Sequence, residues 1–92
     1  MTTMEWKEIE PEQKDWEKQI NIVAYEGMYT IGNIAYCGDE FGWIFTIGNR
    51  QDSLLAKNEE EAKDEFICIL DEHFQGEINF YGELKESLSN LS

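Results

Sequence analysis

Alternating apolar and polar positions dominate the first half of the chain and predict β-strands. The alternation begins after Trp16 and runs to Ala24, and a second β-rich run spans Met28 to Cys37. Phe41 to Ile47 shows the clearest alternation, with aromatic residues on one face. Leu54 to Ala56 is short enough to be either a fourth strand or part of a loop. The pattern therefore predicts three to four consecutive strands.

Glycines mark the joints between these runs. Gly27 lies between the first two strands, where a tight hairpin needs a residue that adopts positive φ. Gly32 falls inside the second strand and indicates a bulge or a close backbone approach.

A change of period after Asn58 predicts a helix. Asn58 is a good N-cap, and Glu61 three residues later resembles a capping box. Gly76 is a plausible end of this helix. Apolar residues at three- and four-residue spacing form one stripe before that point: Ala62, Phe66, Ile69, Leu70 and Phe74. Beyond it, Leu84, Leu88 and Leu91 predict a short C-terminal helix.

Together these elements predict an α+β fold. Three to four antiparallel strands form a meander, and an amphipathic helix packs on one face so that both apolar stripes are buried. We expect residues 1–15 to form an N-terminal arm and residues 16–92 to form a single domain.

Charge narrows the classes of partner. The 92-residue chain carries 20 acidic and 7 basic residues, a formal net charge of −13. Direct binding to nucleic acid or to an anionic membrane is disfavoured by repulsion. A basic protein is the natural complement, although acidity also serves solubility alone.

Cellular location follows from what the sequence lacks. It has no apolar run of about 18 residues and no charged-then-apolar leader. Cys37 and Cys68 have no CxxC spacing and are expected to be small buried hydrophobic residues in a reducing compartment. We therefore expect a cytoplasmic protein.

Residues for catalysis are scarce. His73 is the single histidine, and near a helix end its cationic form would favour the negative helix terminus. Cys68 and His73 are five residues apart and so point to different helix faces. No zinc-type, EF-hand, dinucleotide or P-loop spacing occurs. We expect no enzyme activity, no catalytic residue, no cofactor and no metal.

An acidic helix face is the strongest candidate for a binding surface. Seven acidic residues and one lysine lie between Glu59 and Glu72. Carboxylates at i and i+4 stand about 6 Å apart, similar in scale to phosphates along a nucleic acid strand. The same face could simply be solvated. The candidate partner-binding residues are Glu59, Glu60, Asp64, Glu65, Asp71 and Glu72.

Aromatic residues of the sheet offer a second surface. Tyr29, Tyr36 and Trp43 either pack in the core or lie on the sheet face that the helix leaves open. If they cluster on the open face, they mark a site for binding or self-association.

The segments Ala24-Tyr25-Glu26-Gly27-Met28-Tyr29-Thr30-Ile31, Gly42-Trp43-Ile44-Phe45 and Asn58-Glu59-Glu60-Glu61-Ala62-Lys63 carry a resemblance. In size, charge and layout, residues 16–75 resemble small acidic phage and prophage proteins with a strand meander and a helix. Several such proteins inhibit host defence, including anti-CRISPR proteins, anti-restriction DNA mimics and uracil-DNA glycosylase inhibitors. The resemblance carries over no functional residue.

Three hypotheses remain open. The first is a phage-encoded inhibitor that occupies the basic groove of a host nucleic-acid-handling enzyme. The second is an interaction module or homo-oligomer that uses the sheet. The third is a sponge for a small signalling molecule, which would need Arg50, Lys57 and Lys63 to cluster.

Overall fold

A five-stranded antiparallel sheet and one long helix make up the fold, in a computed structural model that describes residues 4–89. The strands pair in chain order, so the sheet is a meander and the predicted α+β class is confirmed. The elements are β1 (Met4–Ile9), β2 (Lys18–Ala24), β3 (Tyr29–Tyr36), β4 (Trp43–Ile47), β5 (Arg50–Ser53) and α1 (Glu59–Ser89).

The two edge strands differ from the prediction. Residues 4–9, expected in an N-terminal arm, form β1 and pair with β2 along their whole length. The fourth predicted strand lies earlier, at Arg50–Ser53, and Leu54–Ala56 follows it outside any strand. Both edge strands are largely exposed. Backbone pairing with a neighbouring strand stabilises both of them, and in β1 the partly buried Trp6 side chain also packs against the core.

The core lies between one face of the sheet and the first half of the helix. Phe66 is completely buried, with its ring 6.2 Å from the Trp6 ring and 5.9 Å from the Phe45 ring. Ile20, Ile22 and Ile34 belong to the same cluster. The alternating sheet residues and the helix stripe therefore face each other, as the sequence predicts.

Gly32 lets the helix and the sheet approach closely. A β-bulge interrupts the β2–β3 register here. A Cβ added at Gly32 would lie 2.7 Å from the Thr46 carbonyl oxygen and 2.9 Å from Cζ of Phe66. The predicted bulge and close approach are both present. At the β2–β3 turn, Gly27 adopts the predicted positive φ, at 88°.

Helix α1 begins as predicted but ends later. The Glu61 amide donates to Asn58 Oδ1 at 2.9 Å, and Asn58 Nδ2 donates to Glu61 Oε2 at 2.9 Å. The predicted stop at Gly76 is wrong, because the helix continues without a break to Ser89 and absorbs the predicted short C-terminal helix. A glycine inside a helix costs only about 1 kcal/mol relative to alanine, so it does not have to end one. Leu91 lies outside the described residues.

The long helix makes the molecule elongated. Its 31 residues span about 46 Å at 1.5 Å per residue, and the whole chain measures 55 × 28 × 22 Å. We call residues 59–74 the proximal half, because they pack on the sheet, and residues 75–88 the distal half. Every distal residue is exposed. The helix thus extends well beyond the sheet that it covers.

Candidate protein-binding surfaces

Four of the six predicted acidic residues lie on the exposed side of the proximal half. Glu60, Asp64, Asp71 and Glu72 are exposed, and none forms an ion pair with another residue in the range 4–89. They span about 18 Å of helix. We call these four residues the acidic face. Their charges are available to a partner.

The other two predicted acidic residues are engaged by the fold. Glu59 accepts Lys18 Nζ at 2.5 Å and Lys63 Nζ at 3.3 Å. Glu65 accepts the Leu55 amide on both carboxylate oxygens, at 2.9 and 3.0 Å, and so fastens the segment after β5 to the helix. Both residues are half-buried. Glu59 and Glu65 therefore have a structural role here, and the structure separates them from the acidic face.

The electrostatics of the Glu59 contact agree with this role. The hydrogen bond from Lys18 lowers the pKa of the Glu59 carboxyl, with a smaller contribution from Lys63 and some opposition from burial. The same hydrogen bond raises the pKa of Lys18. Both groups are consequently held in their charged forms at neutral pH, and this ion pair joins the start of α1 to the start of β2.

The acidic face is not a continuous row. Glu60 and Asp64 are neighbours one turn apart, but Ile67 and Cys68 occupy the surface between Asp64 and Asp71. Both intervening side chains are exposed, and Ile67 is 49% accessible. A partner would therefore meet two acidic groups, a small apolar patch and two further acidic groups.

The aromatic residues of the sheet do not form an open binding face. Trp43 is buried in the core beneath the helix, and the Tyr36 ring packs 5.3 Å from the Trp43 ring. The Tyr36 hydroxyl donates to the Asp39 carboxylate, which raises the pKa of Tyr36. Tyr29 alone of the three is exposed. The hypothesis of a clustered aromatic sheet face is wrong, because the register places Tyr36 and Trp43 together on the covered side.

Polar side chains occupy the opposite side of the sheet instead. Asn21, Asn33, Thr46 and Gln51 follow one another across the sheet in register. Gln51 Nε2 donates to Thr46 Oγ1 at 3.1 Å, whereas Asn33 Oδ1 is buried without a partner among residues 4–89. Val23, Ala35 and Ile44 share this side with them, whereas the main buried cluster lies on the helix side.

Apolar residues of the distal half form a surface that the sequence did not identify. The predicted helix end at Gly76 hid the periodicity, since Phe74, Ile78, Tyr81, Leu84 and Leu88 continue the spacing of the buried stripe across that glycine. Counting three and four residues onward from Phe74 would have revealed it. We call the exposed part the distal stripe; it consists of Ile78, Phe80, Tyr81, Leu84 and Leu88.

The groups considered for catalysis are dispersed. His73 Nε2 lies 3.1 Å from Glu77 Oε1 within the helix, and α1 continues for four further turns, so the predicted position near a helix end is wrong. The expected burial of Cys68 is wrong, because its side chain is exposed on the outer side of α1. Cys37 is partly buried, and burial followed by the Asp15 charge raises the pKa of its thiol. Within residues 4–89, no three histidine, cysteine or acidic side chains are grouped to hold a metal ion.

Two of the three basic residues considered for a small-molecule site make separate contacts. The Arg50 guanidinium lies 5.2 Å from the centre of the Phe45 ring, and Lys63 Nζ lies 5.4 Å from the centre of the Trp6 ring.

The helix in the described part of the chain does not combine the length and the apolarity needed to cross a membrane. Comparison with protein-family models, with curated proteins and with solved structures finds no match to this chain.

Proposed function

We propose that this chain is a non-catalytic binding protein whose acidic face occupies a basic surface of a protein that handles nucleic acid. The observation that carries the proposal is that some helix carboxylates bind groups within the fold and others remain exposed. Glu59 pairs with Lys18, and Glu65 accepts the Leu55 amide. The other four acidic residues are exposed and form no ion pair among residues 4–89: Glu60, Asp64, Asp71 and Glu72.

This arrangement has a cost that a partner would offset. Like charges one helical turn apart destabilise a helix by about 0.2–0.5 kcal/mol per pair. Glu60 and Asp64 form such a pair, and nearby Lys63 is directed to Glu59 instead. Docking on a cluster of lysine and arginine residues would remove the repulsion and release the ions that surround both surfaces.

The rigid helix suits recognition of a surface that normally grips phosphates. The acidic groups are fixed on one element, so little conformational freedom is lost on binding. The exposed Ile67 between the two pairs adds an apolar contact at the centre of the face. We place the target among host defence enzymes that act on nucleic acid, in keeping with the resemblance to phage inhibitors, and we place the protein in the host cytoplasm.

Binding of this type should be fast and sensitive to salt. Exposed charges are screened over about 10 Å at 0.1 M ionic strength and over much less at higher salt. The first experiment is a pull-down from host lysate with the tagged chain, washed at about 0.1 M and then about 0.5 M salt. We expect a nucleic-acid enzyme to elute at the higher salt, to be identified by mass spectrometry.

A matched pair of variants assigns the interaction to the acidic face. Glu60→Gln/Asp64→Asn/Asp71→Asn removes three charges from it, and Glu12→Gln/Glu40→Gln/Glu83→Gln removes three exposed charges elsewhere. We expect the first variant to lose the partner and the second to retain most of it. Equal loss in both would show that net charge alone drives capture, and retention in the first would reject the acidic face.

Two alternatives carry different expectations. A small-molecule sponge predicts a rise in melting temperature with ligand and no retained protein. A homo-oligomer predicts self-association, and the distal stripe gives that alternative a specific location.

A further inference from the structure

The distal stripe is the covered face of α1 continued beyond the sheet. The spacing that buries Phe66 and Leu70 proceeds through Phe74 to Tyr81 and Leu88 without a change of face. Along the proximal half the sheet covers this face. Along the distal half nothing in residues 4–89 does, and the stripe side chains are between 46% and 65% exposed.

The area of the stripe matches a small specific interface. Aromatic side chains offer on the order of 150–250 Å² each when fully exposed, and leucine and isoleucine offer somewhat less. Five of them at these exposures present roughly 500 Å² per copy. Complete burial of the stripe on two copies would remove at most about 1,000 Å² from solvent, which is the lower limit for a specific interface and places this one among weak associations.

The order of residues on either side of Tyr81 favours a second copy of the chain as the occupant. Around Tyr81, Ile78 and Leu84 lie three residues to either side, and Phe74 and Leu88 lie seven residues to either side. Glu77 and Lys85, with opposite charges, lie four residues to either side. An antiparallel copy centred on Tyr81 would therefore place apolar groups level with apolar groups and each Glu77 level with a Lys85.

The end of the sheet provides space for the approaching helix end. An open pocket of about 460 Å³ lies where α1 leaves the sheet. Its apolar lining includes Met4, Ile31, Ile47 and Phe74. In the antiparallel arrangement, Leu88 of the second copy is level with Phe74 and so lies at the mouth of this pocket.

Charge along the helix also favours pairing through the distal half. Residues 59–72 contain seven acidic residues and one lysine, whereas residues 75–88 contain three acidic residues and one lysine. We propose that the distal stripe is a self-association surface on which two copies pair antiparallel about Tyr81. The dimer leaves both acidic faces free, one towards each end of the assembly.

The mass of the intact chain in solution tests this proposal. At about 100 μM, a concentration suited to an interface of this size, we expect light scattering after size exclusion to give a mass approaching twice 10.8 kDa. Association should strengthen between about 0.1 M and 0.5 M salt, because screening reduces the repulsion between two chains of charge −13. Capture of a basic partner should weaken over the same range of salt concentration. Failure of one proposal can therefore be told apart from failure of the other.

Matched variants locate the interface. Tyr81→Gln/Leu84→Gln should be monomeric with unchanged tryptophan fluorescence, since all three tryptophans lie outside the distal half and the distal half does not touch the core. Met28→Gln/Leu55→Gln removes two side chains that are 89% and 91% exposed elsewhere and should remain dimeric. A monomeric wild-type chain at both salt concentrations, or a dimer that survives the first variant, overturns the proposal.

A charge exchange tests the antiparallel arrangement. Glu77→Lys and Lys85→Glu should each weaken the dimer severalfold, and the combined variant should restore it. Loss of the His73–Glu77 contact cannot explain such a restoration, because the combined variant lacks that contact as well. Failure of the combined variant to recover overturns the pairing about Tyr81.

Discussion

The two halves of helix α1 share one apolar periodicity but have different surroundings. Phe66, in the proximal half, is inaccessible to solvent, whereas Phe80, in the distal half, is 56% exposed. The first lies between the rings of Trp6 and Phe45, and the second has no sheet beneath it. Amphipathic spacing thus establishes which face of a helix is apolar, and the tertiary structure decides how much of that face is covered.

The difference also separates two sources of helix stability. Packing against the sheet stabilises the proximal half, which has the capped N-terminus and the ion pairs with Lys18 and Lys63. The distal half contains Gly76 and Gly82 and depends on helix propensity in the isolated chain. We therefore expect the same substitution to have unequal effects in the two halves.

The largest expected difference concerns the two phenylalanines. Phe66→Ala should lower the free energy of unfolding by about 3–5 kcal/mol, because it removes a fully buried ring and leaves a cavity. Phe80→Ala should change it by no more than about 0.5 kcal/mol at concentrations where the chain is monomeric. Urea denaturation followed by tryptophan fluorescence measures both. Equal losses would mean that the distal half is covered within the monomer.

The second comparison concerns two glycines, whose substitution by alanine should change the free energy of unfolding in opposite directions. Gly32→Ala should destabilise the fold by about 1–3 kcal/mol, since the new Cβ would meet the Thr46 backbone and the Phe66 ring. Gly82→Ala has open space around it and should stabilise the helix by up to about 1 kcal/mol. Thermal denaturation monitored by circular dichroism distinguishes them. A Gly32→Ala chain as stable as the wild type would contradict the close approach of α1 to β3.

The smallest effect concerns the ion pair at the start of the proximal half. Because the pKa of Glu59 is lowered in the folded chain, the pair stabilises the fold above the ordinary carboxyl pKa of 4.5. This stability disappears as the pH falls through the lowered pKa. Glu59→Gln should therefore be less stable than the wild type by about 0.2–1 kcal/mol at pH 7, because both side chains are partly solvated.

Denaturation curves at pH 7 and at an acidic pH below the lowered pKa of Glu59 provide the check, because the carboxyl loses its charge as the pH falls through that pKa. The difference between Glu59→Gln and the wild type should vanish there. Glu60→Gln, at the neighbouring exposed position, is the control and should not lower stability at pH 7. A difference that persists at low pH would mean that Glu59 acts by packing and not by its charge.

Sequence patterns predicted the elements whose stability comes from buried faces. The alternation through β2 to β4 and the stripe from Ala62 to Phe74 both depend on contact with the core, and the structure contains both. Gly32 was identifiable because a glycine inside a strand usually marks a close approach. The capping pair of Asn58 and Glu61 is a local interaction and was visible for that reason.

The remaining elements depend on distant parts of the chain. Strand β1 forms because β2 offers a free edge and because Trp6 packs against the core, and four of the six residues of β1 give no sign of either. The length of α1 depends on the small net free energy of extending the helix. The cost of one glycine, Gly76, is too small to end the helix by itself. Among the acidic residues, only the folded chain separates Glu59 and Glu65, which bind Lys18 and the Leu55 amide, from those left exposed.

The strand order has a consequence for how the chain folds during synthesis. Each strand pairs with its neighbour in sequence, so the sheet can assemble hairpin by hairpin as the chain leaves the ribosome. Residues through Ser53 complete the sheet before any of α1 has emerged. The apolar face of the sheet then stays uncovered until Phe66 and Leu70 have left the ribosome. During this interval the nascent chain is most prone to aggregation and to binding by chaperones.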